Sequence, residues 1–275
     1  MKDFDEKTYL QNLKELDVYG FTVVSGLLSS EEIKEYKSLV EEEYNKVAGV
    51  DYPDTPKRDS KDKILYNLQA KNKKFIDILW GDWTKRFYRD KLNDPFYRLR
   101  PASEINSNLM YFNARSSGQK LDLHIDSHFP YIGDQSIVMQ YVFFLDDSTV
   151  ANGCTIVVPG SHQSGKFTDR DLEKVENLEA KAGDLVIWDS RLWHGTRENK
   201  SGASRWALVA TVGMWWVKPM MDIPRTITQE TYNVLSNEQK AFLGFCSLPP
   251  SNEFERINTK QNYEFLKENV KDYFV

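Results

Sequence analysis

His124 and Asp126 stand two residues apart in Leu121-Asp122-Leu123-His124-Ile125-Asp126-Ser127-His128. Successive residues of a strand alternate faces, so an extended backbone here would present an imidazole and a carboxylate side by side. A metal held in this way lacks a third ligand. The chain has four histidines, His124, His128, His162 and His194, and the last lies in Trp188-Asp189-Ser190-Arg191-Leu192-Trp193-His194-Gly195-Thr196, just past an apolar run. Two imidazoles and one carboxylate suit Fe(II) with coordination positions left open. A structural zinc site needs four ligands, usually with thiolates, and Cys154 and Cys246 are poorly placed for that. Each residue alone is weak, because a lone strand histidine is more often a hydrogen-bonded core or surface residue and His-x-Asp recurs by chance.

Arg205 lies eleven residues beyond His194, at the start of the apolar run Trp206-Ala207-Leu208-Val209-Ala210. A guanidinium there is costly to bury without a partner, and its fork suits a carboxylate. Pointing inward it would hold an anionic small molecule; the alternative is a salt bridge to one of the chain's own acids. His128 alternates onto the face of His124 but lies farther along the strand, which suits the substrate mouth better than the metal. His162, after the turn Pro159-Gly160-Ser161, reads as a structural residue orienting its loop.

The elements that must carry these residues follow an order of helices, strands, helices. Ser29-Ser30-Glu31-Glu32 has capping-box spacing, and Ile33, Tyr36, Leu39, Val40, Tyr44 and Val47 make an apolar stripe after it. Residues 49–63 read as a long polar loop, and 64–90 as helical. From Ser107 to Val217, short β-branched and aromatic runs alternate with Gly, Pro, Asn, Asp and Ser clusters, the punctuation of an antiparallel sandwich or barrel. Beyond Pro219 helices return, one capped at Ser236 and ended at Gly244, another over Tyr263 to Phe274. The fold expected is mainly β with helical extensions, a jelly-roll core over about 105–217 inside a single domain of residues 1–275.

With these runs in place, the sequence resembles the phytanoyl-CoA hydroxylase family of Fe(II)/2-oxoglutarate dioxygenases. The resemblance rests on Tyr19-Gly20-Phe21-Thr22-Val23-Val24, His124-Ile125-Asp126, Phe144-Leu145-Asp146-Asp147, Asn152-Gly153-Cys154-Thr155, Val158-Pro159-Gly160-Ser161-His162, Ala182-Gly183-Asp184, His194-Gly195-Thr196 and Arg205, in that order. It implies a double-stranded β-helix (cupin-like) core and iron held by His124, Asp126 and His194. By the same match, 2-oxoglutarate and O2 are co-substrates, Arg205 binds the distal carboxylate of 2-oxoglutarate and Thr196 adds a hydroxyl donor to it. Tyr141 is a further candidate contact, its facing not fixed by the sequence. The implied reaction hydroxylates an unactivated C–H bond of a small molecule with release of succinate and carbon dioxide. Asp126 stands where a halogenating relative would need a small residue. The alternative is a cupin-like metal protein, an isomerase or binding module, that does not use 2-oxoglutarate.

Composition narrows the partners. Thirty-six Lys+Arg against 41 Asp+Glu give a net charge of -5, with no basic block to meet nucleic acid or an anionic membrane. The polar, acidic start does not read as a signal peptide, and no run of roughly 20 apolar residues crosses a membrane. The expectation is a cytoplasmic protein with reduced cysteines and a small-molecule substrate. The oligomeric state is not encoded legibly.

Overall fold

The computed structural model describes residues 1–48, 62–96, 103–116, 118–127, 129–167 and 174–245. His128, Cys246, most of the 49–63 loop and the helix expected over Tyr263 to Phe274 lie outside the described residues. The chain divides into two compact units, one of Met1–Tyr66 with Asn113–Ala210, the other of Asn67–Phe112 with Thr211–Val275.

In the first unit, helix α1 (Glu6–Tyr19) is capped by Asp5 and leads into strand β1 (Phe21–Val24). Gly20 joins them at φ 82°, and a Cβ there would lie 2.6 Å from the His162 ring, so only glycine fits. Helix α2 (Ser30–Val47) begins at the expected capping box, with Ser29 and Glu32 each accepting from the other's backbone N–H. The strands that follow are β2 (Lys63–Leu65), β3 (Asn108–Ser116), β4 (Leu121–His124), β5 (Val138–Phe144), β6 (Thr155–Val157), β7 (Glu176–Leu178), β8 (Leu185–Asp189), β9 (His194–Thr196) and β10 (Ala207–Gly213). They form a six-stranded sheet in the order β1-β8-β5-β10-β3-β2 and a four-stranded sheet in the order β4-β9-β6-β7. All registered pairs are antiparallel.

Val142, Phe144, Val186, Trp188 and Ala207 of the large sheet cluster with Val157, Leu178 and Ala180 from the small-sheet side, so the first unit's core lies between the sheets. This is the expected jelly roll. Trp206, one residue off the alternation, packs edge-on against Tyr44 of α2 and marks the outer face.

The second unit is held by rings. Tyr88 stacks on Phe242 at 5.0 Å, and Phe75 meets Phe112 edge-on at 6.4 Å. The helical stretch expected over 64–90 is broken. Ile64 and Leu65 pair with Arg115 and Ala114 as β2, while Asn72 and Gly81 cap two short helices, α3 (Lys73–Ile78) and α4 (Asp82–Phe87). Helices α5 (Ile223–Thr226), α6 (Gln229–Val234) and α7 (Asn237–Phe242) follow β10, the last with the expected capping box at Ser236 and with Gly244 beyond it at φ 92°. No helix among the described residues is long and apolar enough to cross a membrane.

Candidate metal centre

Strand β9 is three residues long, too short to show a period, yet it sets the site. His194 is directly opposite His124 in the β4–β9 ladder, and Thr196 is opposite Leu121. Between them Gly195 lies so close to β4 that a Cβ would collide with the Leu121 carbonyl oxygen. Glycine therefore lets the two histidine strands come together.

Asp126 arrives differently from the sequence expectation. Strand β4 ends at His124, so simple alternation does not align Asp126 with it. The chain turns instead, and the Asp126 and Ser127 amides both donate to the Ser190 carbonyl oxygen at 2.9 Å. A buried clamp fixes that anchor. Arg191 donates from Nε and Nη2 to both carboxylate oxygens of Asp189 (2.9 and 2.8 Å) and from Nη1 to the Tyr131 and Gly133 carbonyls (3.2 and 2.8 Å). Its guanidinium also lies 4.1 Å from the centre of the Tyr131 ring. Burial opposes the Arg191 charge, and the Asp189 carboxylate more than restores it, holding the group above its usual pKa.

His124, Asp126 and His194 each offer a ligand atom, all within 4.8 Å of one another. His124 Nδ1 faces the Asp122 carbonyl oxygen and His194 Nδ1 faces that of Leu192, both at 2.9 Å. A carbonyl can only accept, so each Nδ1 carries the proton and each neutral ring turns its Nε2 lone pair to the site. Those lone pairs meet the Asp126 oxygens at 3.5 and 3.3 Å. Lone pairs facing lone pairs call for a cation between them. A proton on the imidazoles would serve in a metal's place: burial alone would raise the Asp126 pKa, but the charge and hydrogen bonds that protonated His194 and His124 would supply hold it far below the usual carboxylate range. Burial likewise opposes charge on His124, yet Asp126 and the Asp122 carbonyl outweigh it and raise that ring above its usual value, with Arg115 pushing the other way. The side chains of His124 and Asp126 remain 35% and 28% exposed, so the cluster is open on one side to a ligand. Two imidazoles and one carboxylate fit Fe(II) better than a four-ligand structural zinc.

Arg205 is buried, 5% exposed, two residues before Ala207 and on the side away from Trp206. Its amide donates to Ser116 Oγ and its Nη1 to Ser148 Oγ, but Nε has no partner and no acid among the described residues pairs with it. Burial pulls its pKa down. The internal salt bridge that could have explained this residue is absent among the described residues. Thr196 shares the face of His194 on β9, and its buried hydroxyl also lacks a partner. Two orphaned donors, one cationic, fit the carboxylate of a bound anion such as 2-oxoglutarate.

Tyr141 is not brought to the site. It alternates with Val142 onto the outer face, in register with Ile187, and its hydroxyl lies 4.0 Å from Met139 Sδ. His162 is buried, its Nε2 3.2 Å from the Asp17 carbonyl oxygen, in the structural position expected of it. Trp188, whose ring lies 5.1 Å from that of His194, forms an apolar wall of the site. Sequence reasoning missed Arg191 and Arg115. Arg115 carried a weaker signal than Arg205, because Asn108, Asn113 and Ser116 share its strand.

Residues 16–207 match the phytanoyl-CoA dioxygenase (PhyH) family. The chain belongs to that family. It is 30% identical over 169 residues to the dioxygenase FUM3 of Gibberella moniliformis, covering 59% of this chain and 54% of that protein. To the phytanoyl-CoA dioxygenase of Arabidopsis thaliana it is 28% identical over 183 residues, covering 59% and 62%. The chain thus spans little more than half the length of the curated relatives it matches. Among solved structures it is similar in fold to HygX from Streptomyces hygroscopicus with nickel, 2-oxoglutarate and hygromycin B bound, with TM-score 0.60, 18% identity, and 77% and 89% of the two chains covered. The alpha-ketoglutarate-dependent epimerase SnoN of nogalamycin biosynthesis gives TM-score 0.58 at 16% identity, covering 76% and 84%.

Proposed function

We propose that this protein is a non-haem Fe(II)/2-oxoglutarate-dependent dioxygenase that hydroxylates an unactivated C–H bond of a small-molecule substrate. The observation that carries the reading is the convergence of His124, Asp126 and His194 in a fold that also buries an unpaired arginine. Bound together, ferrous iron, 2-oxoglutarate and dioxygen supply oxidative decarboxylation to succinate and carbon dioxide and an oxidant for the C–H bond.

The chain's own residues hold and orient. His124 and His194 present Nε2, each ring fixed through Nδ1 by a backbone carbonyl. Asp126 adds a negative charge and fills the place that a halide would need, which favours oxygen transfer over halogenation. Arg205 and Thr196 would hold the far carboxylate of 2-oxoglutarate. Trp188 and the inter-sheet core keep one wall dry. A cupin-like protein without 2-oxoglutarate would leave the Arg205 charge buried and unpaired, at a cost of several kcal/mol. The family membership, the absence of a membrane-crossing helix among the described residues and the acidic balance are consistent with a cytoplasmic enzyme acting on a small molecule.

An anaerobic titration of 2-oxoglutarate into Fe(II)-loaded protein tests the assignment. One equivalent should bind, and binding should require both metal and Arg205. Binding that persists in Arg205→Gln, or no binding at all, would count against it.

A further inference from the structure

A second arginine enters the same space. Arg115 and Ser116 end β3 and point to opposite faces. Ser116 is in register with Lys63, whose ammonium lies 5.8 Å from the ring centre of Tyr44 on α2, so Ser116 faces outward. Arg115 therefore faces inward, with Arg205 and Ala207. Its side chain is partly buried, its Nε is buried without a partner, and among the described residues neither hydrogen bond nor ion pair reaches its guanidinium. Its neighbour Ser116 accepts from the Arg205 amide at 2.7 Å, and β3 lies beside β10, which sets Arg115 next to the anion clamp.

A partly buried guanidinium turned inward, with its Nε buried and without a partner, is placed to meet an anion that enters the site. Asp126 belongs to the metal cluster, and the far carboxylate of 2-oxoglutarate already has Arg205 and Thr196. With ferrous iron, Asp126, 2-oxoglutarate and both arginines counted, one positive charge remains. We propose that Arg115 recognises an anionic group, a carboxylate or phosphate, on the primary substrate. The guanidinium fork matches either group in two-point contact. The charge count rests on the dioxygenase reading, whereas the unpaired guanidinium does not.

The test is anaerobic calorimetry on the full chain loaded with Mn(II) in place of Fe(II) and saturated with 2-oxoglutarate. The probes are hexanoate, hexyl phosphate and neutral hexanamide at millimolar concentrations. At least one anion should bind more tightly than hexanamide, Arg115→Gln should weaken it roughly tenfold or more, and Arg115→Lys should recover part of the loss. The affinity for 2-oxoglutarate should change less than twofold in Arg115→Gln, with an unaltered circular dichroism melt. Three outcomes overturn the proposal: no preference for the anions, anion binding indifferent to Arg115→Gln, or 2-oxoglutarate weakened in Arg115→Gln as much as in Arg205→Gln. If 2-oxoglutarate does not bind even the unaltered protein, the dioxygenase reading fails. The same probes on Mn(II)-loaded protein then decide the anion site: sensitivity to Arg115→Gln upholds it, and indifference sinks it.

Discussion

His124 and His194 face each other across the β4–β9 ladder with ring centroids 4.4 Å apart, and the Asp126 carboxylate closes the third corner. The pairing depends on backbone approach at Gly195 as much as on the ligands themselves. Gly195→Ala should therefore destabilise the protein by about 1–3 kcal/mol, the usual cost of overpacking, and weaken metal binding although no ligand changes. Paired thermal melts and Mn(II) titrations would check this; an unchanged metal affinity would show that β9 can shift without disturbing the site.

Asp126→Ala removes a ligand from the open edge of the cluster, not from the core. The fold should persist, and metal-induced stabilisation should disappear. For the unaltered protein that stabilisation is about 2.7 kcal/mol at a metal concentration of 100 times Kd. Thermal melts with and without Mn(II) read both quantities, and a stabilisation retained in Asp126→Ala would remove Asp126 from the ligand set.

The metal cluster was legible in the sequence as residue types, but not as geometry. His124-Ile125-Asp126 suggested one strand face, whereas the turn after His124 and the Ser190 anchor do the aligning. Strands β7 and β9 were invisible because three residues carry no period, and the helix expected from Ile64 onward begins as a strand because β3 offers an edge to pair with. Tyr141 illustrates the limit of facing: a strand buried on both faces has no polar side to mark which way a residue points. The capping boxes at Ser29 and Ser236 were legible because a cap is a local interaction, complete within four residues.

The Asp189–Arg191 clamp makes a separate prediction. Both side chains are nearly buried, at 3% and 2% exposure, so removing one partner leaves the other's charge stranded. Asp189→Asn should cost about 3 kcal/mol or more and loosen the turn at Asp126 and Ser127, which is tied to Ser190. Hydrogen exchange should show faster opening at the Asp126 and Ser127 amides than in the unaltered protein; equal rates would mean the clamp does not hold that turn.

Metal affinity should depend on pH with a definite sign. Asp126 is held well below the usual carboxylate range and stays ionised, while the raised pKa of His124 lets a proton compete with metal to a higher pH than an ordinary imidazole would. Affinity should be level above the His124 pKa and fall about tenfold per pH unit below it, as one proton must leave. Mn(II) titrations between about pH 6 and 9 measure this. A flat profile would contradict it.

Succinate formation tests the central claim most directly. Protein supplied with Fe(II), dioxygen, 2-oxoglutarate and a panel of carboxylate- and phosphate-bearing small molecules should release succinate. That release should vanish in Asp126→Ala and fall sharply in Arg205→Gln at limiting 2-oxoglutarate. Succinate release that survives Asp126→Ala, or none from the unaltered protein across the panel together with no 2-oxoglutarate binding, would contradict it.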